Sequence, residues 1–287
     1  MKNPDSDWLY EISPKGSLFS FNFAEIWRYR DLLVMFVRRD IVTYYKQTIL
    51  GPIWFVVQPI LTSLVQYIIF NQIAQIKSDE INYFLFVLAG NTLWGYFSDS
   101  FNSTSNTFRA NQAIFGKVYF PRIIMPLSTT VSSLIKFGIQ FAFFVAVTCY
   151  FIYKGNAVVP SWTIVFTPLL LLIMALISLG LGMIFSSLTT KYKDLTFLVS
   201  FGVQLLMYLT PVVYPTSLVL KKLDPSYWWI VNLNPLNSVF EFFRYSFLGS
   251  GSYTIQGLAI SFVSAIFLFL LGLVIFNKTE KTFIDTV

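Results

Sequence analysis

Six stretches of the chain are nearly free of charged residues and are long enough to cross a bilayer. A membrane-spanning helix needs about 20 mostly apolar residues, because an ionised side chain at the bilayer centre costs several kcal/mol. We place the helix cores at residues 53–75, 83–105, 124–151, 163–188, 195–214 and 256–276. The pattern predicts an all-α membrane protein in which residues 47–287 form a domain of six transmembrane helices.

Residues 22–46, ahead of the first apolar stretch, mix apolar and charged side chains at helical spacing. Ile26, Tyr29 and Leu33 recur at steps of three or four residues. This spacing is typical of an amphipathic helix that lies in the membrane interface. We predict such a helix here, after an N-terminal extension at residues 1–21 to which we assign no role. A plain membrane anchor is the alternative interpretation.

The segment between the fifth and sixth predicted helices is too apolar for a solvated loop and too interrupted by proline and charge to span. Asn234 followed by Pro235 is typical of a helix start, and Gly249 is typical of a helix end. Broken helices at membrane depth persist only where protein or a water-filled cavity surrounds them. We therefore predict a re-entrant helical pair on the external side, within residues 216–249.

The composition supports a membrane protein and disfavours an enzyme. Hydrophobic residues make up 55% of the chain and charged residues 12%, against about 25% charged in an ordinary soluble domain. The chain has no histidine and one cysteine. It therefore lacks the commonest general base and the usual zinc ligands. We expect no metal site, and an intramembrane polymerase or acyltransferase is disfavoured.

Basic residues are distributed unevenly between the two sides that six spans imply. One side consists of the segment before the first predicted span, the loops after the second and fourth, and the tail after the sixth, and it carries fourteen lysine and arginine residues. The loops on the opposite side carry five. Because cytoplasmic loops collect Lys and Arg, both termini are predicted to be cytoplasmic. The net charge of +6 is thereby explained by membrane orientation, and we expect no nucleic-acid partner.

A polar stripe runs along the second predicted helix. Asn91, Gly95, Asp99 and Asn102 follow one another at steps of three or four residues, so they share one face. Such a stripe indicates either packing against another helix or an aqueous pathway, and the sequence leaves both open. Asp99 and Lys136 are the only charges well inside apolar stretches, and an ion pair between them is possible.

Four segments resemble those of a known family, in the family's order along the chain. They are RYRDLLVMFVRRDIVTYYKQTILGPIWFVVQP at 28–59, NQAIFGKVYFPRIIMP at 111–126, KYKDLTFLVSFGVQLLMYLTPVVYP at 191–215 and NPLNSVFEFFRYSFLG at 234–249. These segments are similar to the gate helix, the ATPase-coupling loop, the fifth span and the second external gate helix of polysaccharide-exporting ABC permeases. That family comprises type-2 ABC exporter membrane subunits that move O-antigen, capsule and teichoic-acid chains.

The resemblance implies a homodimer with two ATPase subunits, acting on a lipid-linked polysaccharide among the lipids of the bacterial inner membrane. The chain lacks the G-x-x-x-x-G-K-[ST] phosphate-binding motif. We therefore expect ATP and Mg²⁺ on the partner ATPase and no cofactor on this chain. Six helices are too few to enclose a polymer channel, so the pore is expected on the dimer axis.

Taken with the resemblance, the sequence predicts four groups of site residues. The gate helix contributes Arg38, Arg39, Asp40, Tyr44 and Lys46, and the coupling loop contributes Arg109, Lys117 and Arg122. The external gate carries Glu241 and Arg244. The substrate path is expected to include the polar stripe and the aromatic residues Tyr227, Trp228, Phe242 and Tyr245, whose rings stack on sugars.

The leading interpretation is the permease subunit of an ATP-driven exporter of a lipid-linked polysaccharide, such as O-antigen, with no enzymatic activity of its own. The alternative is a type-2 ABC exporter of a drug or a simple lipid on the same scaffold. The 19% aromatic content favours the polymer. A purely structural membrane protein is a further alternative from another class.

Overall fold

The computed structural model describes residues 23–46, 48–78, 81–115, 117–118, 120–156, 158–251 and 253–286. The predicted extension at 1–21 lies outside these residues. The described chain is built from α-helices joined by short turns. They are α1 (Phe23–Arg28), α2 (Arg30–Tyr45), α3 (Trp54–Gln66), α4 (Tyr83–Ser105), α5 (Thr107–Ala110), α6 (Gln112–Phe115), α7 (Ile124–Tyr153), α8 (Thr167–Lys191), α9 (Leu195–Leu209), α10 (Thr216–Lys222), α11 (Trp228–Leu233), α12 (Pro235–Leu248) and α13 (Ile255–Thr286).

Four helical stretches in the described residues are long and apolar enough to cross a membrane. They are Gly51–Ile73, Ile124–Tyr153, Trp162–Lys191 and Ile255–Glu280. The first combines a short 3₁₀ turn, α3 and a π-helical continuation at Tyr67–Ile73. The chain is thus a multi-pass membrane protein, and the elements in its described part are all helices.

The other two predicted spans differ from these four. The helix α4 has 23 residues, which is long enough, but its amide and hydroxyl side chains make it less apolar. The helix α9 is apolar but has only 15 residues. It ends at Leu209, short of the predicted residue 214. Thr210 is extended there, because the residue before a proline, here Pro211, is disfavoured in helical conformation.

The helix α4 lies at the centre of the molecule. It packs against α7 on one side and α8 on the other, and 17 of its 23 residues are buried. Neighbouring helices rather than lipid surround it, which explains how it accommodates polar side chains. The main apolar core forms around it and includes Phe97, Phe144 and Phe240.

The helices α8 and α13 approach each other backbone to backbone. A Cβ atom added to Gly272 would lie 2.3 Å from the carbonyl oxygen of Gly180. A Cβ atom on Gly180 would likewise lie 2.5 Å from the backbone of Leu268. Glycine is therefore required at both positions, and small residues at a crossing are a common means of packing membrane helices.

The predicted amphipathic segment is helical in two pieces, α1 and α2, which are separated at Tyr29. The helix α2 packs on α7. At the opposite end of the molecule, α10, α11 and α12 form the segment between α9 and α13. The helix α12 begins as predicted, with Asn234 accepting a hydrogen bond from the backbone N–H of Leu236, and it ends at the left-handed Gly249. We refer to these two ends as the α2 end and the α12 end.

Candidate functional site

At the α2 end, one face of α2 is buried against the loop that joins α4 to α7. Phe36 and Val37 are the buried residues of this helix. The Phe36 ring lies 5.8 Å from the ring of Phe120 in that loop. The apolar face predicted to enter the membrane interface is thus largely covered by protein at these positions.

The two adjacent arginines of α2 have different surroundings. The Arg39 Nη2 atom lies 2.8 Å from the carboxylate of Asp40, and the Arg39 guanidinium lies 4.9 Å from the centre of the Phe36 ring. Arg38 is exposed and makes no ion pair within the described part of the chain. Lys46, just after the helix, is exposed as well. Arg38 is consequently the more available of the two to a ligand, although the Arg39 side chain is also 42% exposed.

A set of polar and aromatic contacts connects α2 to α3, α4 and α7. Asp40 accepts a hydrogen bond of 3.4 Å from the Ser132 hydroxyl. The Tyr44 ring packs edge-on against Phe55 at 5.4 Å. Burial raises the pKa of the Tyr44 phenol, and the nearby carboxylates of Asp99 and Asp40 add to the effect. Tyr44 therefore stays a neutral hydroxyl at physiological pH.

The same region contains the ion pair between the two charges predicted inside apolar stretches. Lys136 Nζ lies 2.6 Å from Asp99 Oδ2, and the ammonium group also lies 5.3 Å from the centre of the Phe55 ring. The side chains are 17% and 35% exposed, respectively. This pair is thus partly exposed at the surface of the chain, and it links α7 to α4 beside the end of α2.

The polar stripe of α4 faces other helices of the same chain. The Asn91 amide donates hydrogen bonds of 2.8 Å to Ser63 Oγ and to Gln66 Oε1 on α3. A Cβ atom on Gly95 would lie 3.1 Å from the side-chain oxygen of Gln140 on α7. Asn102 donates to Ser98 within α4 itself. Helix packing accounts for the contacts of Asn91 and Gly95, whereas Asn102 bonds within its own helix, and an aqueous pathway along the stripe stays a prediction.

The loop between α4 and α7 contains α5 and α6 and carries the three basic residues predicted to couple to an ATPase. Lys117 is exposed. Arg109 is exposed as well, and it donates a hydrogen bond of 3.3 Å to Thr196 at the start of α9. Arg122 instead points inward, with 7% of the residue exposed, and contacts Glu280 on α13. The structure therefore separates Arg122 from the outer surface of the loop.

At the α12 end, Glu241 and Arg244 are buried and hold several elements together. Arg244 donates hydrogen bonds to the carbonyl oxygens of Pro211 and Val212, which follow α9. Its guanidinium lies 3.7 Å from the centre of the Phe86 ring on α4. The Glu241 carboxylate is 3.6 Å from Arg244 Nη1. Glu241 also accepts a hydrogen bond of 2.9 Å from the Thr216 hydroxyl.

The four predicted aromatic residues fall into two pairs. Tyr227 and Trp228 are exposed, at 55% and 41%, and are available to a ligand or to the membrane interface. Phe242 is buried, and its ring lies 4.8 Å from that of Tyr253. The half-buried Tyr245 ring lies 4.5 Å from the same tyrosine. The structure does not bring the two pairs together into one surface.

An apolar cavity of about 500 Å³ lies beside Phe242. It is bounded by the start of α8, the start of α13 and the 3₁₀ turn at Trp162–Phe166. Five of its twelve lining residues are aromatic, namely Trp162, Phe166, Phe242, Tyr253 and Phe262, and most of the others are aliphatic. Its shape and chemistry suit an alkyl chain or another apolar group.

Comparison with known proteins decides the family. The family model described as "ABC-2 type transporter" matches residues 31–248, which is most of the chain. The chain belongs to the ABC-2 type transporter family. Three relatives are each named "O-antigen export system permease protein RfbA". Two from Klebsiella pneumoniae are 30% and 29% identical over 256 residues, covering 89% of this chain and 94% of each relative. One from Myxococcus xanthus is 27% identical over 215 residues, covering 75% and 79%.

The region matched by the ABC-2 family includes residues 31–46 of the predicted gate helix, the coupling loop and the external segment up to Leu248. Sequence reasoning missed the residues that contact the predicted ones from other elements. Most of these residues are uncharged, and all are far away in the sequence. They are Ser63, Gln66, Ser132, Gln140, Thr216 and Glu280. Each lies on a different element from its contact. No local spacing signal connects them, although amide and hydroxyl residues in apolar helices indicate hydrogen bonding between helices in general.

Within the described residues, no cluster of three or more His, Cys, Asp or Glu side chains is suited to a metal ion.

Proposed function

We propose that this ABC-2 family member is the membrane subunit of an ATP-driven exporter that moves a lipid-linked polysaccharide, O-antigen or a similar cell-surface glycan, across the bacterial inner membrane. The observation that carries the proposal is the 30% identity over 89% of the chain to a relative named as an O-antigen export permease. ATP and Mg²⁺ are assigned to a separate ATPase subunit, with no cofactor on this chain.

The proposed assembly is a homodimer with two ATPase subunits, in which the pore lies on the dimer axis. In this arrangement α4 and α9 are counted as spans together with the four apolar stretches, so that the six predicted spans are retained. Fourteen basic residues on one side against five on the other support an orientation with both termini in the cytoplasm. The α2 end is then cytoplasmic, and the α12 end is external. Exposed apolar side chains on α9, such as Phe197 at 82% and Phe201 at 61%, require either lipid or a second copy against them.

The gate helix is assigned the recognition of the substrate's pyrophosphate. Arginine suits this role because its planar guanidinium binds phosphate oxygens in pairs, which lysine does not reproduce. Arg38 is exposed, whereas Arg39 is paired with Asp40. We therefore expect Arg38→Lys to lower export several-fold and Arg39→Lys to lower it less. Equal export by wild type and both variants would contradict phosphate recognition by this pair.

One observation favours the alternative cargo, a drug or a simple lipid. The cavity beside Phe242 is apolar and has a volume of about 500 Å³, which suits a small hydrophobic molecule better than a glycan. Under the polysaccharide proposal, the same cavity lies beside the conducting path and takes no part in sugar recognition. The exposed Tyr227 and Trp228 are then the surfaces on which sugar rings stack.

A deletion and complementation experiment separates the two cargoes. Deleting the gene is expected to remove the long-chain glycan from the cell surface and to cause lipid-linked glycan to accumulate inside, as measured by immunoblotting of surface and membrane fractions. Wild type is expected to restore export only with an ATPase subunit that hydrolyses ATP. Normal surface glycan in the deletion strain, together with lost efflux of a fluorescent hydrophobic dye, would favour the alternative.

A further inference from the structure

Arg122 and Lys117 are cations of the same loop with opposite orientations. Lys117 is exposed, whereas the Arg122 side chain is 8% exposed. Arg122 Nη1 donates a hydrogen bond of 2.8 Å to the backbone carbonyl of Glu280, and its Nε atom lies 3.8 Å from the Glu280 carboxylate. The guanidinium also lies 5.4 Å from the centre of the Phe115 ring. Arg122 is therefore an internal contact of the loop with α13.

The part of α13 that Arg122 contacts extends past the membrane core. This helix has 32 residues, which corresponds to about 48 Å at 1.5 Å per residue. The hydrocarbon core of a bilayer is only about 30 Å thick. The helix begins at Ile255, and the 25 residues from there to Glu280 correspond to about 38 Å at 1.5 Å per residue. Glu280 therefore lies beyond the hydrocarbon core, at the α2 end. The end of the last span is thus available as a rigid support for the loop.

Aromatic contacts extend this support on both sides of Arg122. Phe108, at the start of the loop, stacks on Phe276 of α13 with ring centres 4.5 Å apart. Phe115 lies 5.8 Å from Phe120, and Phe120 lies 5.8 Å from Phe36 of α2. One apolar cluster therefore joins α13, the loop and the predicted gate helix. A displacement of the loop would therefore also displace α13 and the predicted gate helix.

We propose that the end of α13 acts as a brace for the coupling loop, with Arg122 as a positioning residue that does not contact the ATPase. This inference rests on the proposed function, in which the loop passes the movement of the ATPase to the membrane helices. The exposed Lys117 faces the ATPase, and the contact between Arg122 and Glu280 makes the loop move as one body with α13. Without the brace the loop yields when the ATPase closes, so ATP is hydrolysed with less transport.

The test compares variants in the complete complex, with the ATPase subunit, in membrane vesicles loaded with lipid-linked glycan. Three quantities are measured: ATPase co-purifying with the permease, ATP hydrolysed, and glycan moved per ATP hydrolysed. We expect Arg122→Gln and Glu280→Gln to leave the amount of bound ATPase unchanged. Arg122→Gln should lower glycan moved per ATP at least fivefold. Glu280→Gln should lower it less, because the backbone carbonyl that accepts from Arg122 remains.

Two further variants distinguish a brace from a contact site and from general damage. Arg122→Lys retains the charge and one donor, and it should recover part of the transport per ATP. Lys117→Gln is the exposed control in the same loop, and it should instead reduce the amount of bound ATPase. The complexes that still form should move the normal amount of glycan per ATP hydrolysed. If Arg122→Gln fails to accumulate, Arg122→Lys and Glu280→Gln still measure the ratio.

The outcomes that overturn the inference differ from those that overturn the proposed function. A normal ratio of glycan to ATP in Arg122→Gln, or in both Arg122→Lys and Glu280→Gln if the glutamine variant at 122 does not accumulate, would refute the brace alone. Loss of bound ATPase in Arg122→Gln at normal permease levels would show a direct contact and would also refute it. A wild-type complex that hydrolyses ATP without moving glycan would instead refute the proposed function.

Discussion

Two ion pairs of the described chain, Arg244–Glu241 at the α12 end and Lys136–Asp99 at the α2 end, have different surroundings. At the α12 end, the side chains of Arg244 and Glu241 are 1% and 4% exposed, and two backbone carbonyls and an aromatic ring surround the guanidinium. At the α2 end, Lys136 and Asp99 are 17% and 35% exposed. The first pair is enclosed by protein, whereas the second is partly exposed at the end of the chain that the proposed orientation places in the cytoplasm.

This difference indicates which end of the protein is held rigidly. Removing one member of a buried pair leaves an uncompensated charge and typically costs about 3–5 kcal/mol. A partly exposed pair contributes only about 0–1 kcal/mol, because water solvates either charge when the other is absent. We therefore expect the α12 end to keep its conformation during transport and the α2 end to rearrange. The glycine contacts of α8 and α13 run between the two ends and keep these helices together.

The largest effect is expected from Arg244→Ala. The change leaves Glu241 buried without its cation and leaves the carbonyls of Pro211 and Val212 without their donor. We predict a loss of about 3–5 kcal/mol in the free energy of unfolding, measured by denaturant titration in mixed micelles. Glu241→Gln is the matched control and should cost less, since Arg244 keeps both carbonyls and the Phe86 ring, and the amide oxygen still accepts from Thr216. An Arg244→Ala protein of wild-type stability would show that the α12 end is not fastened by this residue.

An intermediate effect is expected where α4 meets the same site. A Cβ atom on Gly90 would lie 2.4 Å from the Val212 carbonyl oxygen and 2.8 Å from Arg244 Nη2. Gly90→Ala should therefore destabilise the protein by about 1–3 kcal/mol through overpacking. Gly138→Ala on α7 is the control, because nothing lies within 4 Å of the added atom. The control should be neutral or slightly stabilising, and similar unfolding curves for the two variants would contradict the close packing.

The smallest effect on stability is expected from Asp99→Asn at the α2 end. Lys136 stays partly exposed at the proposed cytoplasmic end and keeps the nearby Phe55 ring, so we predict a loss of no more than about 1 kcal/mol. The same micelle titration measures it, and export in cells is measured in parallel. The double variant Asp99→Asn, Lys136→Gln is the matched control, because it removes both charges of the ion pair. A loss from Asp99→Asn as large as that from Arg244→Ala would remove the distinction between the two ends.

Local sequence signals predicted the elements of this fold well. Asn234, Pro235 and Gly249 set the bounds of α12 because helix capping depends only on neighbouring residues. The apolar stretches predicted the long helices, because length and apolar composition are also properties of one continuous segment. The end of α9 was placed five residues too late, although the signal was present in Pro211.

The site was harder to predict because its character depends on distant residues. Glu241 and Arg244 are three residues apart, a spacing that allows an ion pair along a helix, but on an exposed helix such a pair contributes only about 0.2–0.5 kcal/mol. Its burial depends on Phe86 and on the turn after α9, which no local pattern connects to α12. Arg122 was predicted to face a partner because its loop is basic and acid-free. Its carboxylate neighbour, Glu280, is instead on the last helix.

The contact between Arg122 and Glu280 also orders the events of biosynthesis. The two residues are 158 positions apart, so at about 5–20 residues per second the ribosome completes Glu280 roughly 8–30 s after Arg122. During that interval the loop lacks the carbonyl and the carboxylate that hold its arginine. The loop is therefore supported by α13 only once the last helix has been made, and we expect a permease shortened before Glu280 to bind its proposed ATPase but to move less glycan per ATP hydrolysed.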